Sequence, residues 1–181
     1  LAGARRAAVA DRRPAGQGVI PIRALPRCFL PECDFSEPTV TFPVEEYKKF
    51  HHVLRLKSGV HLALFPNDGT VWRAEYHGKT AHLMSQEPVP TESSRHVVLA
   101  QALPKPDRLD EVIRAGSELG VSEFWLFPSD RTVVQWSPDK LADRVRRLQT
   151  IAREACEVAI RGRLPAFSVM PHLSAVLEAC P

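Results

Sequence analysis

Four groups of cationic side chains stand where the sequence turns from apolar to polar. They are Arg55 and Lys57 in VLRLKSG, Lys105 and Arg108 in LPKPDR, Arg131 in SDRT, and Arg161 and Arg163 in RGRLP. Guanidinium and ammonium groups at the ends of helices and strands can hold phosphate, or charge that develops on a base. Lys105 and Arg131 each follow an apolar run that reads as a strand, and in open α/β sheets ligands bind beyond the carboxyl ends of strands. Arginine at a helix C-terminus also complements the helix dipole, which accounts for Arg163 without any ligand. Other chemistries lack their signatures: the sequence has no G-x-G-x-x-G, no phosphate-binding P-loop, no G-x-S-x-G and no H-E-x-x-H. Cys28, Cys33, Cys156 and Cys180 form no C-x-x-C pair, and His51 and His52 are adjacent rather than spaced as helix ligands. The cysteines therefore read as reduced thiols, and no metal is expected.

The elements that must position these cations change character along the chain. Between Arg27 and Pro90 the segments are short and strand-like: Thr39–Val44, Val60–Phe65, Val71–Gly78 and Thr80–Ser85. Turn residues Asn67-Asp68-Gly69 and His77-Gly78 separate the last three. One helix, Glu45 to Leu56, places Tyr47, Phe50, Val53 and Leu54 on one side. Several strands with one helix suggest a small β-barrel. Pro88–Ser94 has a linker composition.

Beyond it, His96–Leu103 is a continuous apolar run, the kind buried on both faces of a parallel sheet. Asp107 is placed to cap a helix with Leu109, Val112, Ile113, Gly116 and Leu119 on its apolar stripe, and Gly120 ends it. A strand over Phe124–Phe127 comes next. Ser137-Pro138 starts a long helix that Gly162 stops, with Arg153 and Glu157 spaced for an ion pair. A strand near Phe167–Met170 and a helix near Leu173–Cys180 complete a β-α-β-α-β-α series, which predicts a parallel sheet.

Composition sets further bounds. The chain has 181 residues, 44% hydrophobic and 25% charged, as in globular proteins. No apolar run is long enough for a membrane span. The net charge of +3 is concentrated at the start: residues 1–30 hold six arginines and one acid, leaving 18 basic and 20 acidic groups beyond. A nucleic-acid site must therefore come from local clustering of charge. Residues 1–26 have no periodicity and are expected to be a disordered tail or sequence outside the folded protein.

The order and spacing of VLRLKSG, then ALPKPDRLDEVIRAGSELGVSEFWLFPSDRTVV, then RLQTIAREACEVAIRGRLP resemble the RsmE-type 16S ribosomal RNA (uridine-N3) methyltransferases over roughly Arg27 to Pro165. The resemblance implies an N-terminal PUA-like β-barrel at 27–90 that binds RNA. It also implies a parallel-sheet SPOUT α/β domain, here 95–181, with S-adenosylmethionine as cofactor and a homodimer in the full-length protein. The implied partner is 16S ribosomal RNA or the small ribosomal subunit, in the cytoplasm. The RNA-contact candidates are then Arg55, Lys57, Lys105, Arg108, Arg131 and Arg161, with the Ser129–Arg131 loop facing RNA near the methyl-transfer site. In this family a later Gly-rich loop and a final segment close a knot around the cofactor. No such motif is present after Pro165, so the chain is expected to hold the first half of the domain and no cofactor-binding residues. Ala115, Leu126 and Val158 stand where the family usually has lysine, proline and glutamine. A noncatalytic RNA-binding module is the alternative expectation.

Overall fold

A computed structural model describes residues 20–130 and 136–180, with only the backbone described at Pro138. The chain divides into two compact units, Leu1–Pro88 and Val89–Pro181. Among the described residues no helix is long and apolar enough to cross a membrane, and no group of three or more His, Cys, Asp or Glu side chains could hold a metal ion.

The first unit is a five-stranded mixed sheet in the order β1-β3-β4-β5-β2. Its strands are β1 (Arg27–Phe29), β2 (Thr39–Thr41), β3 (His61–Phe65), β4 (Thr70–His77) and β5 (Thr80–Pro88). The turns are written in the sequence. Between β3 and β4, Asn67 and Gly69 take positive φ, and Asp68 Oδ1 accepts from the Thr70 amide at 2.9 Å. Between β4 and β5, Gly78 takes φ 71 in the two-residue loop that puts His77 opposite Thr80. Among the described residues β1 adds parallel to β3 and β2 adds antiparallel to β5, so these two short strands end the sheet. One face buries Cys28, Val40, Leu62, Leu64, Ala74, Tyr76 and Leu83 around Phe50.

The helix expected over Glu45–Leu56 is shorter. α1 spans Val44–Lys48, and residues Lys49–Val53 open into a wider π-type turn, with the Leu54 amide bonded to the Lys49 carbonyl at 2.9 Å. Phe50 stays fully buried, edge-on to Phe42 and Tyr76. The wider turn rotates the next residues outward, so Val53 is 74% exposed and Leu54 46% exposed instead of facing the core.

The second unit has the predicted alternation. Strands β6 (Val98–Ala102), β7 (Glu123–Phe127) and β8 (Ala166–Val169) pair in parallel in the order β6-β7-β8. The helices are α2 (Pro106–Leu119), α3 (Pro138–Ala159) and α4 (Leu173–Ala179). α2 and α3 cover one sheet face, where Leu103, Leu109, Ile113, Phe124, Leu126, Leu148 and Ala152 form the core. Each large side chain among them contributes roughly 1.5–3 kcal/mol on burial.

Two expectations change. Among the described residues β6 pairs on one side only, with β7, and Val98 is 37% exposed. The linker-like stretch is folded into the unit: Val89 is buried, Thr91 bonds the Ile160 carbonyl at 2.7 Å, and Glu92 is held among the turns at the ends of α2 and α3. Gly116 explains the tight seating of α2. A Cβ there would lie 2.9 Å from the Phe124 ring.

Candidate functional site

The carboxyl ends of β6 and β7 emerge side by side. Ala102 is opposite Phe127, and the Leu103 amide bonds the Phe127 carbonyl at 2.8 Å. Register alone therefore places Lys105, three residues past β6, at the same sheet end as Ser129 and Asp130, two and three past β7. Arg131 lies outside the described residues.

Lys105 is the residue before α2. Pro106 opens the helix, its ring supplying the helical φ at no loss of a needed donor. The Lys105 carbonyl accepts from the Arg108 and Leu109 amides at 3.0 and 3.1 Å, and its side chain is exposed with no ion-pair partner among the described residues. The expected cap, Asp107, sits within the first turn of the helix rather than ahead of it, and only adds negative charge there. Arg108 is exposed and pairs with Glu111 at 2.9 Å, a solvent-facing contact that a phosphate can displace.

Beside Lys105 is a shallow cleft that sequence reasoning missed. Pro104, Pro106, Leu109 and Leu148 form its apolar lining, and Asp110, Trp136, Arg144 and Arg147 its polar and aromatic part. The Arg144 guanidinium lies 5.9 Å from the centre of the Trp136 ring, within cation–π range. Arg147 makes a two-pronged pair with Asp110, one bond at 2.8 Å, which ties α3 to α2 and raises the already high Arg147 pKa. Arg147 is thus fixed by its partner, whereas Arg144 lies over a ring. No short stretch of sequence shows that α3 folds back over the start of α2.

In the first unit, Arg55 and Lys57 are both exposed and have no acidic partner among the described residues. Arg55 takes φ 51, a left-handed conformation that costs a non-glycine residue roughly 1–2 kcal/mol.

Arg161 does not belong with these cations. It is 3% exposed, and its guanidinium is engaged on every side. Nε donates to Glu92 Oε1 at 3.1 Å, Nη2 to the same oxygen, and Nη1 to the Ser117 and Val121 carbonyls at 3.0 and 2.9 Å. Glu92 Oε2 in turn accepts from the Gly162 and Arg163 amides at 2.7 and 3.1 Å. The RNA-contact expectation for Arg161 is therefore corrected: the side chain joins the entry of the unit, the α2–β7 turn and the end of α3 from within. Only Glu92, which composition had assigned to a linker, could have signalled this.

The glycines of the second unit show whether a nucleoside cofactor could be cradled by backbone. Gly116 packs on Phe124, Gly120 ends α2 at φ 102, and the Gly162 amide is bonded to Glu92. Each is committed to packing, capping or an internal bond. None of these three glycines is therefore placed to bring backbone against a nucleoside, and no step is derived through S-adenosylmethionine.

Comparison with known proteins identifies the family. The RNA methyltransferase domain family matches residues 91–181. Ribosomal RNA small subunit methyltransferase E of Synechocystis is 36% identical over 133 residues, covering 71% of this chain and 42% of the relative. The Bacillus subtilis protein of that name is 29% identical over 133 residues, covering 71% and 52%. The chain thus spans about half the length of these curated relatives. A crystal structure of ribosomal RNA small subunit methyltransferase E from Neisseria gonorrhoeae, bound to S-adenosyl methionine, superposes with a TM-score of 0.76 at 27% identity, covering 87% of this chain and 66% of that one.

Proposed function

The chain belongs to the RNA methyltransferase family, of the RsmE type, and from that premise we propose that it comes from an enzyme that methylates N3 of a uridine in small-subunit ribosomal RNA, with S-adenosylmethionine as donor. The single observation that carries the reading for these residues is the register of β6 and β7. It puts Lys105 at the same end of the parallel sheet as Ser129 and Asp130, where α/β enzymes take their ligands, and Pro104 and Pro106 on either side of Lys105 line the Trp136–Arg144 cleft.

On this reading the second unit's residues bind and orient RNA. Lys105 and Arg108 meet phosphates, and Trp136 with Arg144 gives a flat cationic surface for a base or a phosphate. N3 of uracil is an imide nitrogen that carries a proton, and the cations lower the energy of the negative charge that develops on the ring when it leaves. Arg131, beyond the described residues, is assigned to the same loop. The first unit is proposed to be PUA-like and to contact RNA through Arg55 and Lys57. A homodimer and a cytoplasmic location come with the same family reading. Contacts to S-adenosylmethionine are assigned to none of the described residues.

The test is binding of a small-subunit ribosomal RNA transcript by the whole chain, measured by fluorescence anisotropy across a salt series. Lys105→Gln with Arg108→Gln is expected to weaken binding and to flatten the slope of log K against log salt by about two. Unchanged affinity and slope refute the assignment. Titration of the chain with S-adenosylmethionine in a calorimeter is expected to give no saturable heat; a clear isotherm refutes that part. The alternative, a noncatalytic RNA-binding module, is supported if the longest natural form of the protein binds the transcript but leaves no 3-methyluridine detectable by mass spectrometry.

A further inference from the structure

The turn after α1 carries exposed rings and cations that the core it anchors does not use. The segment Tyr47–Lys57 reads YKKFHHVLRLK, with four Lys or Arg, two His and no acid. Phe50 pins the turn, fully buried against Phe42 and Tyr76. The π-type opening after Lys48 then hangs His51 and His52 outside the unit. Such single-turn π openings within a helix occur often at functional sites.

The rings that result are ordered. His51 stacks on the half-buried Tyr47 with centroids 5.2 Å apart and planes at 17°. His52 stands edge-on to His51 at 4.9 Å. The Lys79 ammonium, from the β4–β5 turn, lies 5.9 Å from the centre of the Tyr47 ring. Lys48 pairs with Glu45 at 2.9 Å and Lys49 with Glu46 at 3.7 Å, which leaves Lys79 as the cation placed against these rings. An aromatic ledge with a cation against it is the arrangement that takes unpaired bases by stacking and their phosphates by charge.

The geometry points to the Tyr47–His51–His52 ledge, with Lys79, as a stacking site for an unpaired base of the RNA substrate. This rests on the proposed RNA substrate and adds to it a place, a mode of contact and a preference for single strands over duplex. Duplex bases are stacked on each other and cannot reach the ledge.

The experiment uses the whole chain and a fluorescein-labelled single-stranded RNA of mixed sequence, about twelve nucleotides long so as to span one such surface. A fully paired duplex of the same sequence serves as the comparison. Replacing both rings, His51→Ser with His52→Ser, is expected to weaken single-strand binding about tenfold or more while leaving the salt slope unchanged, since no phosphate contact is lost. His51→Phe with His52→Phe keeps the stacking surface and is expected to recover most of that affinity. Lys79→Gln is expected to weaken binding a few-fold and to lower the slope by about one. The ledge is refuted if wild type binds the single strand and the serine pair matches it, if the phenylalanine pair is as weak as the serine pair, or if duplex binding falls as much as single-strand binding. Should wild type bind neither RNA, the RNA reading itself is refuted, and the ledge with it.

Discussion

Removal of the Arg161 guanidinium probes the interior of the second unit most sharply. In Arg161→Met the alkyl stem is kept and the charge is lost. The Val121 carbonyl loses a donor at 2.9 Å, worth about 1 kcal/mol when a buried group is left unpaired, and the Ser117 carbonyl loses one at 3.0 Å but keeps the Gly120 amide at 3.4 Å. The Glu92 carboxylate, whose side chain is 14% exposed, keeps the Gly162 and Arg163 amides but loses its counter-charge. Removing one partner of a buried ion pair costs about 3–5 kcal/mol, and the structure places this case within that range. For a unit of this size that is a fall in Tm of at least roughly 12 °C. Trp125 and Trp136 in the second unit, with Trp72 in the first, report urea unfolding by fluorescence, and a circular-dichroism melt reports both units. The double variant Arg161→Met with Glu92→Met removes both charges and is expected to recover a large part of the loss. If Arg161→Met unfolds less than about 1 kcal/mol more easily than wild type, the side chain is not an internal tie, and its assignment to RNA returns.

Burial pushes the Cys156 thiol up to about 12, with the Arg161 charge opposing and the Glu92 and Glu157 charges reinforcing. The unfolded thiol ionises near 9 while the folded one stays neutral, so stability is fully present below pH 9 and falls as pH rises toward 12, by up to about 1.4 kcal/mol per unit. Urea midpoints for wild type and Cys156→Ala across that window are expected to converge, and parallel curves refute the assignment. Gly116→Ala is expected to destabilise by about 1–2 kcal/mol, because pressing on Phe124 and Val121 outweighs the gain in helix propensity; a stabilised variant in the same urea assay refutes the close approach. Arg55→Gly exchanges left-handed strain for chain entropy, two effects of about 1 kcal/mol that nearly cancel. Its urea midpoint is expected to stay put while RNA affinity falls and the salt slope drops by about one; a large loss of stability with unchanged affinity refutes the surface role.

The local rules could be read from the residues alone. Alternating apolar and turn residues specified β3, β4 and β5, and Gly120 with Leu109, Ile113 and Gly116 specified α2, because these signals act within a few residues, although Leu119 of the expected stripe is exposed. The family motifs were likewise contiguous text. What no short window contains is which strand becomes an edge and which cation turns inward. β6 has the composition of a buried strand, yet among the described residues it pairs only with β7, since order is set by crossovers between distant segments. Arg161 reads as one more basic residue after a helix until Glu92, 69 positions earlier, meets it in the interior. Arg144 becomes part of a cleft only because α3 folds back to set it over Trp136 beside the start of α2. The sequence by itself determined the chemistry of each side chain and its local geometry; burial and partnership are long-range quantities, and those the tertiary structure alone decided.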